Sequence, residues 1–572
     1  MKKTKRYSSM LILSAAMLIT GSVSSCSDWD DHYDANTAET ATSTATIWEN
    51  INSSTNLSQF ADLLKRAGYN KVLNNTQVYT VWAPLNDTYD YATLAATDSA
   101  TLLREFVKNH VTRYNYPASG LIKENIYLLN NKVQIFAGDN TYTFGGVNVK
   151  TANMASSNGV IHTLDGKVTF FSNIYEYLNK RKYAIDSISN YVHKFDVKTL
   201  DTYNSVVGPT VNGEITYLDS VFIESNALYN RLGRAYINRE DSNYTMIIPT
   251  NTAWNKAYAK LSSYFNYIPS FKFSDYSSGT LSTVSVKVAS DYLKDSLIHY
   301  NLVGDLIFNN NFYSNKALIN KTSTSTLTAD SLVTTTYDKM YKEDANDLFQ
   351  GAEKVTMSNG FGWITDTMRV KPWNSWCQPI KIEAEYNSYL ITTLFGTSNA
   401  ESATSLAQNP DVSGRVSNSY YTDVVQSKSS SNPEIYFKLP NILSTTYDVY
   451  CVFVPANITN KNAVNNLPCK VKISIGYNSE TGASKTWNND NTYITSIGKV
   501  DTIYAGSISF PIAYSGIGDY YPFLKIKSNV VSSELNSYSR EMRIDCIMLI
   551  PKELNDYKKT HPGYVYKFNS DY

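Results

Sequence analysis

Two stretches of this chain repeat one another, and a repeated module restricts the fold more than composition does. Tyr79-Thr-Val-Trp-Ala-Pro84-Leu-Asn86-Asp-Thr-Tyr89 aligns without gaps on Tyr244-Thr-Met-Ile-Ile-Pro249-Thr-Asn251-Thr-Ala-Trp254. Each reads as a buried strand stopped by a proline, followed by an Asn suited to a turn or to capping the next helix. Later, Ser157-Asn-Gly159-Val-Ile-His-Thr-Leu-Asp165 aligns on Ser358-Asn-Gly360-Phe-Gly-Trp-Ile-Thr-Asp366. There Asn-Gly signals a tight turn feeding an apolar strand. Ile47-Trp48-Glu49, with Phe60, Leu63 and Leu64 at helical spacing, opens the first copy, and Ile174-Tyr175-Glu176-Tyr177-Leu178 opens the second. The two motifs lie further apart in the second copy, which predicts insertions there.

These paired motifs resemble the fasciclin domain, a compact α+β wedge of strands and short helices. The resemblance places one such domain at 45–172 and a second, with insertions, at 173–372. Fasciclin domains often carry a Tyr-His pair in a segment linked to adhesion in animal relatives. Here the first copy has Asn109-His110 and the second Tyr300-Asn301, so each keeps half. Integrin-type recognition therefore does not transfer, and a lone His or Tyr at a helix end reads as a packing residue. The resemblance implies a general role in binding or display.

From Pro379 onward the pattern changes to period-two strands, among them Glu434-Ile-Tyr-Phe-Lys-Leu-Pro440, Lys470-Val-Lys-Ile-Ser-Ile-Gly476 and Phe523-Leu-Lys-Ile-Lys527. Short strands between polar loops predict an all-β sandwich or jelly roll over 376–555, followed by a tail at 556–572. Its first strand, Ile380-Lys-Ile-Glu-Ala-Glu385, and its last, Arg543-Ile-Asp-Cys-Ile-Met-Leu-Ile-Pro551, resemble those of galactose-binding-like jelly rolls. That group includes many carbohydrate-binding modules, and the resemblance implies that these two strands pair. If the sandwich binds glycan, its candidates lie on two aromatic loops: Trp487 on the one, and Tyr514, Tyr520 and Tyr521 on the other. The alternative packs Tyr520 and Tyr521 under their loop and leaves Trp487 an exposed loop tip. Any glycan site is expected within 376–572, as a fragment that folds alone.

The first residues supply an address. Lys2, Lys3, Lys5 and Arg6 precede an apolar run from Met10 to Thr20, too short to span a bilayer, which ends in Val23-Ser24-Ser25-Cys26. This resembles a lipoprotein signal peptide (1–25) with a lipobox, and implies acylation of Cys26 and an anchor in the outer membrane. Asp28, Asp30 and Asp31, in an acidic and Ser/Thr-rich tether over 26–44, resemble the export tag of Bacteroidetes-type surface lipoproteins and imply outward display.

Lys+Arg and Asp+Glu both number 51, so no charge excess recommends nucleic acid. The 46 tyrosines suit a surface that binds sugars or proteins. Cys377, Cys451, Cys469 and Cys546 allow disulfides outside the cell, but Cys451 and Cys546 sit in apolar strands that equally suit free thiols. No Cys-x-x-Cys, His-Glu-x-x-His, Gly-x-Ser-x-Gly or phosphate-binding glycine loop occurs, and no metal or cofactor is expected. Glu383 and Glu385 share a strand face, where acids are expected to be solvated; paired carboxylates can hydrolyse glycosides only when they flank the substrate. The expectation is a non-enzymatic surface lipoprotein that captures glycan or peptide beside an outer-membrane nutrient importer. The alternatives are an adhesion or matrix protein that binds another protein, and a glycan-cleaving enzyme.

Overall fold

The computed structural model describes residues 43–566, apart from 181–182, 277–280, 429 and 464–465. Cys26, Asp28, Asp30 and Asp31 lie outside the described residues. The chain forms two compact units, Met1–Phe170 with Thr199–Ile223, and Phe171–Lys198 with Glu224–Tyr572. Among the described residues no helix is long and apolar enough to cross a membrane.

Both copies are built on the same parallel strand pair. Tyr79–Pro84 runs beside Gly159–Leu164 with Tyr79 opposite Gly159, and Tyr244–Pro249 runs beside Gly360–Thr365 with Tyr244 opposite Gly360. Every residue of the two opening strands is buried, as expected for a strand covered on both faces. The glycines are obligatory. Gly159 and Gly360 have φ of +136° and +135°, and a Cβ on either would collide with the carbonyl oxygen of the tyrosine opposite.

The Asn before each glycine ties three segments together. Asn158 Oδ1 accepts from the Ile47 amide (2.8 Å) while its Nδ2 donates to the Leu73 and Asn75 carbonyls. Asn359 does the same with Ile174, Ile237 and Arg239. Capping boxes, Thr46 with Glu49 and Asn173 with Glu176, start the opening helices Ile47–Ser53 and Ile174–Leu178.

Asn86 stands in a turn, one of its two expected roles, whereas Asn251 is the first residue of a helix. Neither caps the following helix; each reaches back to an earlier one. Asn86 Oδ1 accepts from Gln59 N (3.0 Å) in helix Ser58–Arg66, and Asn251 Oδ1 from Ser187 N (2.8 Å) in helix Asp186–His193. The parallel strand delivers the Asn beside that helix start, whereas Thr250 caps the next helix, Asn251–Tyr264.

In the first unit the sheet extends to seven strands. The hairpin Val206–Val211/Glu214–Asp219 belongs to this unit, and buried Asp219 secures it by accepting from Tyr69 OH (3.0 Å) and Lys108 Nζ (2.7 Å). In the second unit the sheet has four strands, and the insertions form two hairpins, Ser270–Asp275/Ser282–Lys287 and Ser331–Val333/Lys339–Tyr341.

The last third is a sandwich of two sheets. One orders Gly396–Ser402, Tyr420–Gln426, Met542–Pro551, Thr446–Phe453 and Asp501–Ser509, with Ile380–Glu383 antiparallel to Met542–Pro551. The first and last strands therefore pair, as the resemblance implied. The other sheet orders Leu390–Leu394, Glu434–Lys438, Phe523–Ser528, Lys470–Asn478 and Ser484–Asn488.

The sandwich and the second copy share one hydrophobic core, running from Ile174 through Trp363 to Leu549. Buried Asp344 clasps it: its carboxylate accepts from Lys371 Nζ, Asn374 Nδ2 and Tyr564 OH, while Trp373 Nε1 donates to Tyr564 OH at 2.8 Å. Residues 376–572 cut from the rest would lose the contacts that Phe271 and Phe273 make with Tyr514, Tyr520 and Tyr521, a cost that the expectation of a fragment folding alone leaves out. The start of the tail is helical: Lys552–Thr560 is a helix whose Glu553 accepts from Tyr264 OH.

Candidate functional site

Alternation along a strand assigns side chains to opposite faces. In Glu434–Lys438, Ile435 and Phe437 are fully buried in the sandwich core, so Glu434, Tyr436 and Lys438 face outward. In Phe523–Ser528, Leu524 and Ile526 are core, and Phe523, Lys525 and Lys527 face outward. Antiparallel register sets Glu434 against Lys527, Tyr436 against Lys525 and Lys438 against Phe523; Lys472, Ser474 and Gly476 follow on the next strand.

The result is a flat aromatic and cationic platform. Gly476 carries no side chain, and a Cβ there would strike the Phe523 ring, which lies across it. Tyr436 and Phe523 have centroids 5.8 Å apart. Glu434 accepts from Lys527 Nζ (2.6 Å) and from Tyr436 OH (2.8 Å). Burial pushes the Glu434 carboxyl up, but Lys527, Tyr436 and Lys525 outweigh it and hold the pKa below its ordinary value. Glu434 is thus an anion that fixes Tyr436. Lys525 and Lys438 lie 5.9 and 5.0 Å from the Tyr436 and Tyr521 ring centroids.

The structure brings some of the sequence candidates here and removes others. Tyr521 and Tyr520 reach the platform's edge, packed edge-on against Phe273 at 5.4 and 5.2 Å. Tyr514 is corrected: it is 2% exposed, donates to Asn478 Oδ1 and accepts from Asn478 N, so no ring face is free. Trp487 is corrected too. It sits in strand Ser484–Asn488 opposite core residue Ile475, and points between the sheets toward Gly506. Tyr436 and Phe523 were missed. The period-two pattern put them on one face with the lysines, but nothing local says which face of a strand a second sheet will cover.

Two other polar clusters lie apart from the platform. Glu383, Asp545 and Cys546 bring one ligand atom each within 4.8 Å of one another, a grouping created by pairing of the first and last strands. Glu383 is buried rather than solvated: Oε1 accepts from Ser417 Oγ (2.8 Å) and Lys381 Nζ (3.1 Å), while Oε2 has no hydrogen-bond partner among the described residues. Burial, with Glu383 and Glu385 nearby, pushes the Asp545 carboxyl up to about 7. These oxygens could hold a hard cation, in competition with the Lys381 ammonium.

The second cluster lines a cleft of about 160 Å³ bordered by Lys256, Lys260, Asp305 and Trp376. It is small beside the roughly 300–1,000 Å³ of small-molecule sites. Its Asp305 is a structural group, buried, raised well above the carboxylate range by burial and by Asp338, and bonded by Ser375 Oγ.

The histidine of the first copy's half-pair is likewise structural. His110 is buried, bonds the Phe106 carbonyl through Nδ1 (2.7 Å) and accepts from Val168 N through Nε2 (2.9 Å), and burial lowers its pKa to about 4. Cys377, Cys451, Cys469 and Cys546 are buried free thiols.

Residues 55–168 match the family profile of the fasciclin domain. A comparison with curated proteins returns no match. Among solved structures, the chain is similar to the FAS1 domain pair of the insect cell adhesion molecule fasciclin I, at 11% identity over 57% of this chain and 97% of that one, with a TM-score of 0.19. It is similar to the CBM22-1 xylan-binding domain of Paenibacillus barcinonensis Xyn10C, at 8% identity over 30% and 94%, with a TM-score of 0.20. It is also similar to the C-terminal family 22 carbohydrate-binding module of Clostridium thermocellum Xyn10B, at 10% identity over 33% and 95%, with a TM-score of 0.20. The domain match and the architecture define a multidomain protein of two fasciclin-like α+β domains and a β-sandwich, consistent with non-catalytic binding or adhesion.

Proposed function

We propose that this protein is a non-enzymatic lipoprotein, anchored through Cys26, facing outward from the outer membrane, that captures extracellular glycan alongside a nutrient importer. One observation carries the glycan reading: Tyr436 and Phe523 lie on an outward sheet face among Lys438, Lys472, Lys525 and Lys527, with Glu434 the acid between them. Aromatic faces stack on the apolar face of a sugar ring, and surplus lysine suits a glycan bearing acid groups. The leader and the Val23-Ser24-Ser25-Cys26 run support the anchor, and Asp28, Asp30 and Asp31 support outward display.

Polygalacturonate and xylohexaose are the probes for the glycan reading, by affinity electrophoresis and calorimetry. Tyr436→Ala should weaken binding about tenfold or more, taking the roughly 1–3 kcal/mol of base–aromatic stacking as the scale. Wild-type binding by that variant, or no carbohydrate bound by either protein, overturns the reading in favour of adhesion to a protein. The anchor is tested separately. Cys26→Ala should abolish acylation and release the chain from membranes, and retention without a partner protein rejects it. Replacing Asp28, Asp30 and Asp31 by Ala should keep acylation but protect the chain from protease added to whole cells.

A further inference from the structure

The platform is covered by the protein itself. The inserted hairpin Ser270–Asp275/Ser282–Lys287 of the second fasciclin-like domain lies against the sandwich. Phe271 and Phe273, 4% and 7% exposed, pack on Tyr514, Tyr520 and Tyr521. Backbone bonds fix the same strand: Lys272 N donates to the Gly482 carbonyl at 3.2 Å, and Asn478 Nδ2 to the Lys272 carbonyl at 2.7 Å. Gly482, at φ +77°, has no Cβ to obstruct Phe271.

Tyr276 follows the last paired residue, Asp275. Its ring stacks on Tyr436 at 4.9 Å and 27°, and meets Phe523 edge-on at 5.0 Å. With that ring in place Tyr436 is 5% exposed.

We propose that Tyr276 is a built-in competitor, occupying the sugar position over Tyr436 and Phe523, so that ligand binds only when this ring swings aside. The proposal rests on the glycan reading of the platform. The geometry separates anchor from gate. Phe271 and Phe273 are buried and backbone-bonded, so the hairpin stays docked. Tyr276 lies beyond the ladder and is half-buried, so its ring can leave without unpairing a strand. A site open only part of the time binds with an affinity reduced by the open fraction, and removing the competitor restores the difference.

The test is calorimetry of full-length protein with polygalacturonate and with xylohexaose, comparing wild type, Tyr276→Ala, Tyr276→Phe and Tyr436→Ala. Circular dichroism confirms that each variant is folded. Tyr276→Ala should bind about tenfold tighter than wild type, Tyr276→Phe should match wild type because the ring remains, and Tyr436→Ala should lose binding. Equal binding by wild type and Tyr276→Ala, lost in Tyr436→Ala, overturns the gate and keeps the platform. Weaker binding by Tyr276→Ala also overturns the gate, because the ring is then a wall of the site. Tighter binding by Tyr276→Phe overturns it as well, because the hydroxyl rather than the ring would be responsible. No binding by any variant overturns the platform, and the gate with it.

Discussion

The Asp545 carboxyl titrates at about 7 in the folded chain against about 3.9 for an unperturbed aspartate. Between those values the folded state keeps a proton that the unfolded state has released. Stability therefore falls as pH rises through that window, with a slope of about 1.4 kcal/mol per pH unit from this group. Asp545→Asn should flatten the slope between pH 4 and 7 and raise the melting midpoint at pH 8, measured by calorimetry in chelator. An unchanged pH profile would show that Lys381 neutralises the site. A second residue-scale prediction concerns Gly476. Gly476→Val should lift the Phe523 ring from the sheet, costing about 1–3 kcal/mol of stability and at least about a tenfold loss of binding to the platform's ligand. Binding by this variant at wild-type strength would show that Phe523 is not a stacking residue. At this scale the sequence was only partly readable. Alternation placed Glu383 and Glu385, and likewise Tyr436 and Lys438, on shared faces. It could not say that Ser417 and Asp545 would close over Glu383, because that contact depends on strands distant in the chain.

The repeated elements are where sequence reasoning reached furthest. Tyr79–Pro84 and Tyr244–Pro249, the two Asn-Gly turns and the opening helices stand where the motifs put them. All are local signals: an apolar run, a turn residue, a cap. The backward reach of Asn86 and Asn251 was not readable, because a cap's target is set by how a parallel strand exits its sheet. Two predictions follow at the scale of the element. Gly159→Ala and Gly360→Ala should each cost well over the roughly 1 kcal/mol of an ordinary glycine replacement, because backbone strain adds to a collision with a carbonyl. Gly68→Ala, at φ +71° but in open space, is the control for strain alone. Equal urea midpoints for Gly68→Ala and Gly159→Ala would refute the collision. Asn86→Ala should lose about 1 kcal/mol, and hydrogen exchange should speed first at Gln59.

For the whole molecule, the shared core predicts cooperativity that ignores the line between the second fasciclin-like domain and the sandwich. Tyr447 is fully buried in the sandwich, beside Cys377. Tyr447→Ala should cost about 3–5 kcal/mol. It should lower hydrogen-exchange protection in Tyr244–Pro249 as much as in Met542–Pro551, while Tyr79–Pro84 in the first unit stays unchanged. Protection lost in the sandwich alone would refute the single core. The two fasciclin-like domains and the strand-rich last third were legible from the repeated motifs and the period-two pattern; the fusion was not, since Phe271 and Phe273 lie in an insertion with no counterpart in the first copy. The Asp344 clasp also imposes an order of events on synthesis. A chain emerging amino end first has every element of its first unit once Ile223 is out. Its second unit leaves Asp344 without Tyr564 until 220 more residues have appeared. During that interval more than half of the chain carries apolar surface with its partners still unmade. Synthesis of this protein is therefore a race between completing the second unit and misassembly, and a truncation that removes Tyr564 would spoil a unit that begins some 390 residues earlier.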